Sequence, residues 1–80
     1  MTIPPLIEIV RHDDFVLFER ADKRGNGWRS YHLIRSTPGP KRNWWFSCNS
    51  ERFCDNRDMR LLAEHEPAIY RWLTTLLVRQ

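Results

Sequence analysis

Between Lys23 and Ser50 the chain carries Lys23, Arg24, Arg29, Arg35, Lys41 and Arg42 and no acidic residue. The window has a formal charge of +6 against +3 for the whole chain, so the remainder carries −3. Trp28, Tyr31, Trp44, Trp45 and Phe46 are interleaved with those cations. Cations neutralise phosphates, and aromatic faces stack on unpaired bases at roughly 1–3 kcal/mol each. The combination is what single-stranded DNA or RNA requires. We expect Arg29, Arg35, Lys41 and Arg42 to touch phosphates and Tyr31 and Trp45 to stack on bases. The bland reading of the same residues is a small core that needs large aromatics and a hairpin loop whose charges are simply solvated. Trp44 and Trp45 separate the two readings. Neighbours in a strand point to opposite faces, so if one is core the other faces solvent or a partner.

Other constellations carry less. His12, His32, His65, Cys48 and Cys54 are the soft metal-ligand types, but no closely spaced Cys or His pair of the kind that holds zinc on a turn is present. We expect no metal and no cofactor. Cys48 and His32 could be drawn as a thiol and a base, yet cysteine more often serves as a small buried hydrophobe. Ser36, Ser47 and Ser50 lack the strained turn of an activated serine. Gly25-Asn26-Gly27 lacks the following helix of a phosphate loop. A chain of 80 residues also has little volume for a deep, dry pocket. The sequence therefore predicts a binding protein and not an enzyme.

Eleven of the thirteen basic residues are arginine, whose planar fork suits phosphate, carboxylate and aromatic stacking alike. The same tryptophans and arginines are the types enriched at protein hot spots. A protein-interaction or regulatory accessory module, of the phage or plasmid kind and able to pair with a second copy or a partner strand through an exposed sheet edge, is the competing expectation. No apolar run approaches the length of a membrane span, and the N-terminal Met1-Thr2-Ile3-Pro4-Pro5 lacks the pattern of a secretory signal. We expect a cytoplasmic protein without membrane contact, with Cys48 and Cys54 as free thiols.

The elements that must position these residues read as follows. Leu6–Val10 and Phe15–Phe18 are strand-like runs, forming a hairpin or one long bent strand. Asn26-Gly27 is a tight-turn signal. In Trp28–Arg35, Trp28, Ser30, His32 and Ile34 fall on one face, and Arg29, Tyr31, Leu33 and Arg35 on the other. The segment from Ser36 to Asn43, with Pro38-Gly39-Pro40, is a loop with a basic tip. Trp44–Cys48 is a further strand, with Trp44, Phe46 and Cys48 on one face and Trp45 and Ser47 on the other.

After Phe53 the period changes. Asp55 is a candidate N-cap, and Met59, Leu62 and Ala63 form an apolar helical face. Pro67 then kinks this helix or starts a second one. Ile69, Trp72, Leu73, Leu76 and Leu77 give the second segment its apolar stripe. Residues 1–80 are thus predicted to form one α+β domain, with a three- to four-stranded antiparallel sheet and a broken C-terminal helix over one sheet face.

Overall fold

The computed structural model describes residues 5–21 and 27–78. Lys23, Arg24, Gly25 and Asn26 lie outside them, so the first two cations of the basic window and the first half of the Asn26-Gly27 signal are not placed. Gly27 itself has a φ of 83°, the left-handed conformation that glycine adopts without steric penalty.

Four strands form an antiparallel meander in sequence order: β1 (Leu6–His12), β2 (Phe15–Arg20), β3 (Arg29–Arg35) and β4 (Asn43–Cys48). Leu6–His12 and Phe15–Arg20 form the hairpin, not the long bent strand. The two-residue connection Asp13-Asp14 closes it, with Asp13 at φ 55°, a conformation that Asp tolerates better than branched residues do. A bulge at Ile9 shifts the β1–β2 register, so that Glu8 pairs with Phe18 while Val10 pairs with Leu17.

Two helices follow: α1 (Arg57–His65) and α2 (Pro67–Leu77). Pro67 stands at the first position of α2, where its missing N–H costs nothing, so the chain breaks into two helices there instead of kinking one. The cap of α1 is Asn56, one residue beyond the expected Asp55. Its Oδ1 accepts from the Met59 N–H at 2.8 Å. Asp55 instead holds Arg60 at 3.2 Å on the surface.

Both helices cover the same sheet face. Phe15, Leu17, Leu33, Trp44 and Phe46 meet Met59, Leu62, Ile69 and Leu73 in one buried cluster. These strand positions are related by the observed register, Leu17 to Leu33 to Trp44, so strand alternation places them on the helix side together. The opposite face carries Val16, Phe18, Arg20, Ser30, His32, Ile34, Asn43, Trp45 and Ser47, and no helix of the described residues packs on it.

The two sheet edges differ. The outer edge of β4 is closed by the chain that follows it. Asp58 Oδ2 accepts from the Trp45 N–H at 2.8 Å, Asn56 Nδ2 donates to the Trp45 carbonyl at 3.0 Å, and the Cys54 N–H donates to the Ser47 carbonyl at 2.8 Å. The outer edge of β1 has no such cover among the described residues. Ile7 and Ile9 on that strand are 57% and 43% exposed. No helix of the described residues is long and apolar enough to cross a membrane.

Candidate nucleic-acid interface

Trp45 sits on β4 opposite His32 of β3, on the face that the helices leave open. Its indole is 46% exposed. The inner face of the indole lies parallel to the imidazole, with ring centroids 3.5 Å apart and planes 14° apart. His32 is thereby buried, and its Nε2 donates to Asn43 Oδ1 at 2.9 Å. Its Nδ1 is buried without a hydrogen-bond partner. Burial pushes the His32 pKa below its ordinary value, opposed by the Asn43 hydrogen bond and the charge of Asp58. His32 is a neutral ring that fixes the plane of the indole from beneath.

Beside the indole lies a shallow depression of about 170 Å³, whose lining includes Arg20, Ser30, Trp45, Ser47 and Asn56 as well as Tyr31 and Phe46 of the same two strands. It offers a flat aromatic wall, two hydroxyls, an amide and a guanidinium. Each element contributes for a stated reason. Strand alternation turns Ser30, Trp45 and Ser47 to the open side, Arg20 ends β2 on that side, and Asn56 is held at the rim by its double duty as helix cap and edge donor.

The six residues singled out by the sequence do not converge. Trp45 alone among them stands on the open face. Tyr31 is 5% exposed, on the helix-covered side against Phe46 at a centroid distance of 5.4 Å. Burial pushes its hydroxyl pKa up to about 12. The expectation that it stacks on a base is corrected: its parity with Leu33 puts it in the core. Arg29 is on the same side as Tyr31 and lies 3.8 Å from Glu19.

Arg35 is largely buried, with its guanidinium over the rings of Phe15 and Trp44 at 4.8 and 5.6 Å. It is paired with Glu66 and lies 3.9 Å from Asp14. Lys41 pairs with Asp58 at 3.2 Å and lies 5.8 Å from the Trp44 ring. Three expected phosphate contacts are therefore already engaged by carboxylates on the helix side. Arg42 is exposed and donates to the carbonyls of Arg35 and Ser36 at 3.3 Å each.

The residues that sequence reasoning missed are Arg20, Ser30, His32, Ser47 and Asn56. The signal for Ser30, His32 and Ser47 was present, since each shares Trp45's side once the β3–β4 register is known. Arg20 and Asn56 carried no such signal.

Among the described residues, the thiol–base and metal-ligand candidates of the sequence are not brought together. Cys48 and His32 are on opposite faces of the sheet, and burial pushes the Cys48 thiol up to about 11, so it is neither beside a base nor ionised near neutral pH. Cys48 and Cys54 are free thiols. No group of three His, Cys, Asp or Glu residues that could hold a metal occurs among the described residues. A groove of about 510 Å³ between the segment 51–55 and the two helices is walled by Phe53, Met59 and Tyr70. No protein-family profile, no curated protein and no solved structure matches this chain.

Proposed function

We propose that this protein binds single-stranded nucleic acid on its open sheet face, with Trp45 as the stacking platform. The observation that carries the reading is the exposed, pre-oriented indole beside a polar depression. The inner face of the ring is spent on His32, and the outer face is available to a base without rearrangement, which lowers the ordering cost of binding. Ser30 and Ser47 supply hydroxyls beside the ring, and Arg20 supplies positive charge for the backbone. The platform is small and has few cations, so it engages one or two bases with modest affinity and little sequence preference. The protein has no catalytic role in this reading.

The test is a titration of labelled single-stranded DNA and RNA oligonucleotides across a series of salt concentrations. Binding is expected at low ionic strength, falling linearly in log–log form with a slope of about −0.7 per phosphate neutralised. Trp45→Ala should weaken it by roughly 5- to 150-fold, the loss of one stacked base, with an unchanged circular dichroism spectrum. Absence of affinity at the lowest salt overturns the reading.

A second reading, a protein-binding module, is favoured by one specific observation: Arg29, Arg35 and Lys41 are each matched to a carboxylate. A surface so compensated attracts phosphate weakly and tolerates a mixed-charge protein surface. Nuclease-insensitive, nearly salt-independent capture of one discrete protein would favour it.

A further inference from the structure

We propose that β1 is a self-complementary edge through which two copies of this chain pair antiparallel about a two-fold axis, extending the four-stranded sheet to eight strands. The inference does not depend on the nucleic-acid reading.

The direction of the backbone groups follows from the register. The Ala21 N–H donates to the Pro5 carbonyl, so Pro5 and Ile7 turn their polar groups to β2, and Leu6 and Glu8 turn theirs outward. On the other side of the bulge, the Ser36 N–H donates to the Asp14 carbonyl, which fixes Asp14, Val16 and Phe18 toward β3 and Phe15 and Leu17 toward β1. His12 and Val10 are then the hydrogen-bonded partners of β2, and Arg11 turns outward. The outward row is Leu6, Glu8 and Arg11. Without the bulge it would run Leu6, Glu8, Val10. The extra residue changes the parity and replaces an apolar position by a cation.

The bulge also sets the side chains. In a regular strand residues three apart lie on opposite faces. Here Glu8 pairs with Phe18 and Arg11 with Val16, both on the open face, and the two side chains meet at 3.1 Å within one chain. A two-fold axis between Ile9 and Val10 places Glu8 opposite Arg11 of the second copy, and Arg11 opposite its Glu8. Both members of each pair have outward backbone groups, so they close a ladder, and both side chains are on one face, so they form two symmetry-related ion pairs. Other occupants are less well matched. A strand with unrelated side chains gains the ladder but not the charge pairing, and the bulge breaks a regular ladder unless the partner carries the same bulge.

Further support comes from the contrast between the edges. Among the described residues, Asn56, Asp58 and Cys54 cover β4, whereas Ile7 and Ile9 of β1 are exposed. A contact of one short strand pair is at the small end of specific interfaces, so association is weak and concentration-dependent.

Sedimentation velocity over a concentration series up to about 1 mM tests this on the full chain. The expected result is a reversible monomer–dimer equilibrium with no larger species, because the edge is used up by one partner. Glu8→Arg or Arg11→Glu alone should weaken dimerisation roughly tenfold, since each converts two attractive pairs into like-charge pairs. The double swap E8R/R11E should restore it. These side chains are exposed, so circular dichroism should show all three variants folded. Ile7→Lys, a change on the same strand that leaves the charge pair intact, should also weaken association. A monomer at every concentration, a dimer indifferent to the single swaps, or a double swap that fails to restore pairing would overturn the proposal.

Discussion

The imidazole of His32 is the residue on which the open face depends, because it is both the floor under Trp45 and a titratable group out of water. Its native pKa is depressed chiefly by burial, and the unfolded chain titrates near the ordinary value of 6.5. As pH falls, the unfolded state takes up the proton first. Stability is therefore fully present above about pH 6.5 and is lost as pH falls toward the depressed native value. Urea unfolding followed between about pH 8 and pH 5 should show the midpoint dropping on the acid side. His32→Phe keeps an aromatic floor and has no proton to bind, so its midpoint should change less over that range. A wild-type midpoint that holds steady or rises on acidification contradicts this account of the ring. At the same scale, the unpartnered Nδ1 is a standing cost that the phenylalanine removes, while Asn43 loses a donor it can replace with water at the exposed strand end.

Asn56 joins two elements, and its removal should be felt in both. Its Oδ1 caps α1 and its Nδ2 closes the outer edge of β4. Asn56→Ala should cost about 1 kcal/mol from the cap, which lowers the melting temperature of a domain this size by about 4–8 °C. Asp55→Ala, which breaks only a surface pair with Arg60, should leave it nearly unchanged. Calorimetry on the two variants reads the difference, and a reversed order would place the cap where the sequence first suggested it. The misplacement by one residue is instructive. Asp55 and Asn56 are both good capping types, and only the tertiary demand of the β4 edge for a donor selects the amide. Most of the elements were legible for opposite reasons. The alternation in Arg29–Arg35 and Trp44–Cys48, and the stripe Ile69, Trp72, Leu73, are properties of single elements and survive folding unchanged. Pro67 announced a break by covalent geometry alone.

At the scale of the molecule, the question is which sheet face the helices take, and no single element states it. Tyr31 and Trp45 read alike in the sequence because both are aromatic and both lie in the basic window. The fold separates them by the thickness of the sheet, Tyr31 beneath α2 and its neighbours, Trp45 outside. The surroundings of the cations are set at the same scale. Their partners Asp14, Asp58 and Glu66 come from distant parts of the sequence, so an acid-free window does not remain an uncompensated surface once the chain closes. What survives of the basic, aromatic platform is a smaller candidate site on the other face, centred on one tryptophan.

The most direct test of that site is a two-dimensional NMR titration with a short single-stranded oligonucleotide at low salt. The account predicts that the indole N–H of Trp45 and the backbone amides of Ser30, His32 and Ser47 shift together, while the indole signals of Trp44 and Trp72 stay still. Shifts confined to the helix side around Arg29 and Trp72, or none at saturating oligonucleotide, would contradict it.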